Sequence, residues 1–332
     1  MATRMNLPTP SSPPAVGEQA VPDVDVELLD AVPSPVSLFG RAVRARGRST
    51  VCADDLPSRR LVVAEAGWTP GELAAYSRLC GFRYGAPVSA TWLHVRTFGL
   101  QMQLMTAPDF PLKVLGLVHL ANRWRVHAPV APDAVPAVTL WADRLVPHPK
   151  GALVTLAATA EVDGQRVWEG WSEYLARGVE VTGATEGAPS GGSRDPAEAA
   201  GPASAVDAAA LPERARWRLA ADTGRRYAAV AGDANPIHLS ALTARAFGFK
   251  RAIAHGMYTA ARSLAALEPH VPDAYAYDVA FAKPLHLPST VVLATGRAGG
   301  GADPSGRRGV QQVAVRATDP SVVHMTGTLR AL

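Results

Sequence analysis

The sequence predicts an α+β protein built from two similar halves, and three observations support this class. The chain has 332 residues, which is enough for about two domains with buried cores. In each half, helical apolar patterns come first and strand-like patterns follow, which favours an antiparallel sheet over alternating βαβ units. Landmarks also recur about 150 to 160 positions apart, as from Tyr76 to Tyr227, and this spacing indicates a duplicated domain.

Composition places the boundaries of the two halves. Hydrophobic residues make up 48% of the chain and charged residues 19%, which is typical of globular proteins. Residues 1–35 contain seven prolines, and we expect a disordered tail there. A second stretch rich in small residues, 178–211, is expected to be a flexible linker. The halves therefore span residues 36–177 and 212–332.

Charge and cysteine content exclude several classes of partner. The 33 Lys and Arg residues and 29 Asp and Glu residues give a net charge of +4, without the basic run that tracks nucleic-acid phosphates. The two cysteines, Cys52 and Cys80, suit a reducing compartment. No apolar stretch is long enough to cross a membrane. We expect a cytoplasmic protein that binds no nucleic acid and has no membrane span.

Each half is expected to fold a helix against a sheet. Helical runs precede Gly81 in the first half and Gly232 in the second. Residues 258–267 carry apolar side chains at helical spacing, which predicts a long buried helix that begins at His255-Gly256. A sheet curled around such a helix would bury the helix and its own concave face. Two such units could share one continuous sheet.

The segment 232–238, Gly-Asp-Ala-Asn-Pro-Ile-His, can bring a carboxylate and an imidazole close together. Gly232 permits a sharp turn and Pro236 stops a preceding helix, so a loop is predicted here. Asp233 and His238 can then converge on one water as a general acid/base pair. Taken singly, such residues more often cap helices or pack in cores, but their combination at this spacing favours a catalytic site.

Gly256, at the start of the predicted buried helix, can complete that site. Its N–H would lie at the positive end of the helix dipole, where it suits a developing oxyanion on a carbonyl. The alternative role of this glycine is packing at the helix start.

The same residues resemble a known family. The run at 232–238, with Tyr227 upstream and Ile-Ala-His-Gly-Met at 253–257, is similar to the motif of the MaoC-like dehydratases, also called hydratase 2. The resemblance implies a double hotdog, two repeats that each have a long helix wrapped by a curved antiparallel sheet. It also implies reversible hydration and dehydration between trans-2-enoyl and (3R)-3-hydroxyacyl thioesters in fatty-acid metabolism. No cofactor is implied beyond the CoA or acyl carrier protein that carries the acyl group.

The resemblance assigns roles to residues of the second half. Asp233 and His238 are implied as the catalytic pair, and Gly256 as the oxyanion donor. Asn235 is expected to shape the loop or to contact the substrate. Ser263 is expected to orient Asp233 through a hydrogen bond.

Three further residues are candidates for binding the substrate or its carrier. His255 precedes the oxyanion glycine, and the cations Lys283 and Arg251 could approach the phosphates of the carrier. Exposed cations are also commonly just part of a soluble surface. One departure is visible, since the family usually has Ser, Thr, Gly or Cys at the position of Ala231.

The first half lacks a counterpart of the catalytic pair. Alignment of the two halves places Phe82 near the aspartate position and Ser89 near the histidine position. We therefore expect a catalytically silent structural partner, which in double-hotdog relatives leaves room for a longer acyl chain.

No metal site is expected from the remaining histidines. Four of them lack metal-ligand spacing with nearby carboxylates: His119, His127, His286 and His324. Packed or solvated histidines are the better interpretation.

Two alternative functions stay open, a hotdog acyl-CoA thioesterase and a non-catalytic acyl-thioester-binding subunit. The chain is expected to be a monomer or a homodimer, because a duplicated chain can satisfy its own hotdog pairing.

Overall fold

The N-terminal half places its helices before its long strands. The fold is described from a computed structural model that covers residues 25–183, 203, 206–298 and 309–332. The elements of this half are β1 (Val26–Leu28), α1 (Pro35–Arg44), β2 (Thr50–Cys52), β3 (Arg60–Val63), α2 (Pro70–Cys80), α3 (Ala90–Met105), β4 (Val118–Val126), β5 (Ala137–His148), β6 (Gly151–Val162), β7 (Gln165–Arg177) and β8 (Glu180–Thr182).

The C-terminal half follows the same order, with one strand ahead of its helices. Its elements are β9 (Glu213–Leu219), α4 (Thr223–Ala231), α5 (Pro236–Leu239), α6 (Ala241–Arg245), α7 (Gly256–Leu267), β10 (Tyr275–Phe281), β11 (Ser289–Arg297), β12 (Gln311–Ala317) and β13 (Val323–Ala331).

One sheet runs through both halves. Its strand order is β1-β3-β5-β6-β7-β4-β10-β13-β12-β11-β9, and neighbouring strands are antiparallel except for β1 and β3. The halves meet where β4 pairs with β10, from Val126 opposite Tyr275 to Ala121 opposite Ala280. This ladder satisfies the backbone polar groups of both strands. The predictions of an α+β fold and of a continuous sheet are confirmed.

The central helices of the two halves are α3 and α7. Helix α3 contacts β4, β5, β6 and β7, and α7 contacts β12 and β13. One hydrophobic core extends over both halves, so burial of apolar side chains stabilises the two repeats together. The expected double hotdog is therefore present, and α7 begins at Gly256 as predicted. Among the described residues, no helix combines the length and apolar character needed to cross a bilayer.

The two halves differ in the segment that leads into the central helix. Gly81 follows the last residue of α2 and Gly232 follows the last residue of α4, and both glycines have a left-handed backbone. In the first half, residues 82–89 lead directly into α3. In the second half, residues 233–255 contain α5 and α6 before α7 begins. The candidate site lies in this longer segment.

The predicted N-terminal tail is too long. Val26–Leu28 form β1, because their main chain pairs with β3 from Arg60 to Val62. Proline content did not reveal this pairing, since the partner strand lies far along the chain. Residues 1–24 of the predicted tail lie outside the described residues.

The predicted linker is also partly ordered. Glu180–Thr182 form β8, which pairs with β2 in a small parallel sheet. Val206 and Leu211 are buried in a separate apolar cluster against the strands β11 and β12 of the second half. The remainder of the linker, at 184–202 and at 204 and 205, lies outside the described residues.

Candidate active site

Asp233 sits immediately after α4, in a loop whose shape the local sequence dictates. Gly232 has φ +75°, a left-handed conformation that glycine adopts without steric cost. The backbone N–H of Asn235 donates to Asp233 Oδ1 over 3.2 Å. Asn235 is also the N-cap of α5, and its Oδ1 accepts from the N–H of Ile237. Asn235 thus shapes the loop that holds the carboxylate, which is one of the two roles expected of it.

His238 lies in the short helix α5 and is buried. Its Nδ1 is 2.8 Å from the backbone oxygen of Ile253. A carbonyl only accepts hydrogen bonds, so Nδ1 carries the proton and Nε2 keeps its lone pair. Burial lowers the pKa of His238 below its usual value, and the charge of Asp233 and the bond to Ile253 oppose this shift. His238 is therefore a neutral imidazole with a free basic nitrogen at neutral pH.

His255, the N-cap of α7, connects the two residues of the pair. Its ring stacks on the ring of His238, with centroids 3.6 Å apart. Its Nε2 donates to the backbone oxygen of Asp233 over 3.0 Å and lies 3.7 Å from Oδ2 of the same residue. Burial, and after it the neighbouring His238, lowers the pKa of His255 to about 3. His255 lines the cavity as a neutral ring, but its N–H is engaged by Asp233 rather than free for a substrate.

The predicted convergence of Asp233 and His238 is present. Ligand atoms of Asp233, His238 and His255 all lie within 4.8 Å of one another. This distance allows one water, or one substrate hydroxyl, to lie between the carboxylate and the His238 imidazole. The arrangement can accept a proton from one atom and deliver a proton to another.

The same three side chains are close enough to suggest a metal site, but their geometry fits poorly. The two imidazole rings are stacked with an interplanar angle of 26°, and lone pairs lie in the ring planes. The nitrogens of nearly parallel rings cannot converge on one ion as a tetrahedral zinc site requires. That the protein needs no metal stays a prediction.

Gly256 is the first residue of α7, and its N–H points beyond the helix start. The first N–H groups of a helix have no intrahelical partner, and no described backbone carbonyl accepts from Gly256. A Cβ at this position would lie 2.9 Å from two ring carbons of Phe281. Glycine is therefore required for the close approach of the Phe281 ring, and it leaves a donor at the positive end of the helix.

A cavity of about 560 Å³ joins these groups to the N-terminal half. Its second-half walls include Asp233, His238 and Gly256. Its first-half walls come from α1, α3, β4, β7 and the segment before β4, and they include His94, Phe98, Met102, His119 and Tyr174. The first half thus contributes part of the cavity wall, which the sequence did not establish.

Ser263 does not orient Asp233, and this prediction is wrong. Its side chain is fully buried in α7, and its Oγ has no hydrogen-bond partner among the described residues. Seven residues of helix separate it from Gly256, a rise of about 10 Å. The carboxylate is held instead by the N–H of Asn235 and flanked by the ring of His255.

The two predicted carrier-binding cations have different positions. Lys283 is exposed and lines the cavity, and its backbone oxygen accepts from Nδ1 of His324. Arg251 lies outside the cavity lining, and its guanidinium is 3.5 Å from the backbone oxygen of Pro288. Lys283 alone of these two is positioned to meet a ligand in the cavity.

The alignment of the silent half needs one correction. Phe82 follows Gly81 as Asp233 follows Gly232, as predicted. Ser89, however, is the N-cap of α3, so its structural counterpart is the N-cap of α7 and not His238. The reason is that the segment carrying α5 and α6 has no counterpart in the first half. Phe82 and Ser89 line a separate cavity of about 410 Å³ whose described walls contain no histidine.

Comparison with known proteins agrees with this geometry. The profile described as "MaoC like domain" matches residues 206–320. The protein named 3-hydroxyacyl-thioester dehydratase X of Mycobacterium tuberculosis is 34% identical over 280 residues, which cover 84% of this chain and 91% of that protein.

The chain belongs to the MaoC-like dehydratase family.

Two solved structures extend the comparison of this MaoC-like dehydratase to its whole fold. The crystal structure of HtdX of Mycobacterium tuberculosis has a TM-score of 0.67 and 32% identity, covering 82% of this chain and 100% of that one. A second Mycobacterium tuberculosis protein, described as having a double hotdog fold, has a TM-score of 0.52 and 14% identity, covering 82% and 95% of the two chains. The second likeness concerns the fold alone. The resemblance drawn from the motif at 232–238 is confirmed.

The sequence did not reveal two features of the cavity in this MaoC-like dehydratase. The bond from His255 to the main chain of Asp233 depends on how α7 meets the loop, which spacing does not encode. His94, His119 and Tyr174 reach the cavity from three different elements of the first half. No local motif marks them, because only the tertiary fold brings them together.

Proposed function

We propose that this protein is a hydro-lyase that interconverts trans-2-enoyl and (3R)-3-hydroxyacyl thioesters. The observation that carries the proposal is the convergence of the Asp233 carboxylate and the neutral His238 imidazole in a cavity that faces the start of α7. Membership of the dehydratase family and similarity to a protein named 3-hydroxyacyl-thioester dehydratase X support the same reaction.

In the dehydration direction, the thioester carbonyl accepts from the N–H of Gly256. That hydrogen bond stabilises the enolate-like charge that develops when the proton leaves C2. The Asp233 and His238 pair takes this proton and delivers a proton to the hydroxyl that leaves C3, so water departs and the pair regains its starting protonation state. Hydration reverses these steps through a water that both side chains hold.

The state of His238 suits this chemistry. Its lowered pKa keeps the ring neutral, and the bond from Nδ1 to Ile253 directs the remaining lone pair on Nε2 away from that carbonyl. A neutral imidazole can accept a proton at neutral pH, whereas an imidazolium cannot.

The proposal includes no metal or redox cofactor, because the thioester itself acidifies the hydrogen on C2. The acyl carrier is CoA or acyl carrier protein, and two exposed cations at the cavity, Lys283 and Arg177, can meet its phosphates. The chain supplies both hotdog repeats through the β4–β10 pairing, so a monomer can form a complete site and a homodimer is not required. The proposed location is the cytoplasm.

The test is a hydration assay with the full-length protein and trans-2-enoyl-CoA substrates of several chain lengths. Loss of enoyl absorbance with formation of the (3R)-3-hydroxyacyl product supports the proposal, and chiral analysis identifies the product. A thiol reagent in a parallel reaction measures release of free CoA. Thiol release without hydration would indicate a thioesterase, and binding without either reaction would indicate a non-catalytic subunit.

A further inference from the structure

Helix α6 and the residues that follow it form an exposed surface that combines positive charge with apolar side chains. This surface, the α6 patch, consists of Leu242, Arg245, Phe247, Lys250 and Arg251, all of which are exposed. Leu242 is 79% exposed and Phe247 is 44% exposed. The chain has no acidic residue between Asp233 and Glu268, so the segment that carries the patch contains no compensating negative charge.

The cations of the α6 patch are not used by the fold. No ion pair among the described residues includes Arg245, Lys250 or Arg251. The guanidinium of Arg251 lies 3.5 Å from the backbone oxygen of Pro288. Single exposed cations are ordinary, but exposed apolar side chains among unpaired cations are typical of a protein-binding surface.

The local chain gives the α6 patch a fixed shape. Leu242 and Arg245 are three residues apart on α6, so their side chains are neighbours on one face of the helix. After the helix, the N–H groups of Phe247 and Phe249 both donate to the backbone oxygen of Ala244. The chain therefore folds back on the end of α6, and the patch is already formed before a partner binds. Preformed surfaces lose less conformational entropy on binding.

The α6 patch adjoins the mouth of the cavity that holds the candidate site. Phe247 and Phe249 line this cavity, although Phe247 is exposed. The exposed cations Lys283 and Arg177 line the same cavity. Leu242 does not belong to the lining. The mouth therefore carries positive charge, and the α6 patch extends from it over the outer surface of the protein.

The position of Leu242 distinguishes between the two possible acyl carriers. CoA and acyl carrier protein both hold the acyl group on a pantetheine arm that ends in phosphate, and Lys283 or Arg177 could meet that phosphate in either carrier. The nucleotide of CoA has charge but no aliphatic surface to place on Leu242, which lies outside the cavity. A protein surface with acidic and apolar side chains complements both the charge and the apolar character of the α6 patch.

We propose that the α6 patch docks an acyl carrier protein with an acidic surface, so that the substrate is a protein-bound thioester in preference to free acyl-CoA. Acidic side chains of the carrier face Arg245, Lys250 and Arg251, and an apolar side chain packs on Leu242. The pantetheine arm then enters the cavity beside Phe247. This inference rests on the proposed function, because it names the carrier that delivers the enoyl thioester to the same site.

The experiment measures hydration of one acyl group, trans-2-octenoyl, on three carriers: a purified bacterial acyl carrier protein, CoA and pantetheine. The wild-type protein should show a kcat/KM for the acyl carrier protein thioester at least about 10-fold above the values for both small thioesters. Raising the salt concentration from about 50 to about 300 mM should reduce this preference, because exposed charges are screened.

Two variants of the α6 patch test its charge and its apolar side chain separately. R245E/K250E should raise KM for the acyl carrier protein thioester, lower its kcat/KM by about 10- to 100-fold and leave its kcat unchanged. L242S should lower the same kcat/KM by about 5-fold. Both variants should hydrate octenoyl-pantetheine and octenoyl-CoA as the wild-type protein does.

A matched control reverses two other exposed charges. R78E/R214E changes exposed arginines of α2 and β9 that lie outside the α6 patch and outside the cavity lining. It alters the net charge as much as R245E/K250E does. The preference for the acyl carrier protein thioester should be retained in this control, and its loss there would show that net charge rather than the α6 patch sets the preference.

Different failures have different meanings. Equal kcat/KM on all three carriers in the wild-type protein, or an equal loss on CoA and acyl carrier protein thioesters in R245E/K250E, overturns the inference and leaves the proposed function standing. So does binding to vesicles of phosphatidylglycerol and phosphatidylcholine that R245E/K250E abolishes without any change in kcat/KM, which would assign the patch to a membrane surface. Absence of hydration of every octenoyl thioester by the wild-type protein overturns the proposed function, and this inference with it.

Discussion

The starts of the two central helices show how the halves differ. In the first half, the N–H of Ala90 donates to the Tyr275 hydroxyl over 3.2 Å, and Ser89 Oγ accepts from the N–H of Trp92. In the second half, the equivalent first residue is Gly256, and its N-cap His255 makes no side-chain capping bond to the helix. The same structural position is therefore closed by protein groups in one half and open to the cavity in the other.

The start of the central helix therefore serves stability in the first half and is available to a ligand in the second half. A helix start whose N–H groups are paired is stabilised but has nothing left to offer a ligand. A helix start with an unpaired donor gives up that stabilisation and can bind a developing negative charge. The segment 233–255, which has no equivalent in the first half, adds Asp233 and His238 beside the open helix start.

The largest expected effect comes from removing either residue of the proposed acid/base pair, Asp233 or His238. D233N and H238Q should each lower kcat for enoyl-CoA hydration by about 10²- to 10⁴-fold, the usual loss when a general acid/base is removed. Far-UV circular dichroism and thermal unfolding would establish that the variants fold. The matched control in the silent half is F82L, at the position equivalent to Asp233, which should hydrate enoyl-CoA at the wild-type rate. Folded dyad variants with near-normal turnover would contradict the assignment.

The second effect compares the two helix starts directly. G256A places a methyl group against the ring of Phe281 and displaces the proposed oxyanion donor, so kcat should fall by about 10²-fold. The reciprocal variant A90G, at the first residue of α3, should leave kcat unchanged. Steady-state kinetics on both proteins measure the contrast. Equal losses in the two variants would show that the helix starts are not functionally different.

A third test uses acid. His94, His119 and His255 have pKa values lowered to about 3, 4 and 3, chiefly by burial, and that of His238 is lowered as well. Between these values and the ordinary value near 6.5, the unfolded chain binds more protons than the folded one. The contribution of these neutral histidines to the free energy of unfolding should be complete above about pH 6.5. The free energy of unfolding should decrease as the pH falls from about 6.5 toward 4.

Denaturant titrations across this pH range measure the effect, and H119F provides a comparison. Its stability should fall less steeply with acid, because one titrating group is gone from the first half. A pH-independent free energy of unfolding between pH 4 and pH 6.5 would show that these histidines titrate alike in both states.

The smallest effect is expected at the closed helix start. S89A removes the capping bond to the N–H of Trp92 and should lower the free energy of unfolding by about 1 kcal/mol. The kcat for hydration should not change, because Ser89 lines the separate cavity of the first half. Thermal unfolding and kinetics on the same preparation check both statements. A large loss of turnover would mean that the first half takes part in the chemistry.

Sequence reasoning succeeded where function depends on local geometry. A short segment contains three local signals. Gly232 permits a turn, Pro236 stops a helix, and the apolar run after Gly256 starts the next one. From these, the convergence of Asp233 and His238 could be predicted, and the motif they form identified the family. The α+β class could be predicted from the order of helical and strand-like patterns in each half, and the double hotdog from the family resemblance.

The errors occur where contacts join distant parts of the chain. Ser263 was expected near Asp233, but helical rise carries it away along α7. The alignment that places Ser89 opposite His238 is wrong, because the spacing does not show that α5 and α6 are inserted in the second half. The structural counterpart of Ser89 is His255. His119 packs against Tyr174, in agreement with the expectation of a packed or solvated histidine, but its place in the cavity wall depends on a bulge of β4 against β7. The position of each of these residues can be interpreted only when the element that packs against it is known.

The pairing of β4 with β10, where the two halves meet, affects how the sequence of such a protein can diverge. Across it, Arg125 donates to the buried carboxylate of Asp278 over 3.0 Å, and the two sides are different sequences. In a symmetric dimer every substitution appears twice and alters both faces of the contact. Here a substitution in the wall around the acyl chain occurs once and leaves the reacting groups as they were, so substrate choice and turnover can vary independently.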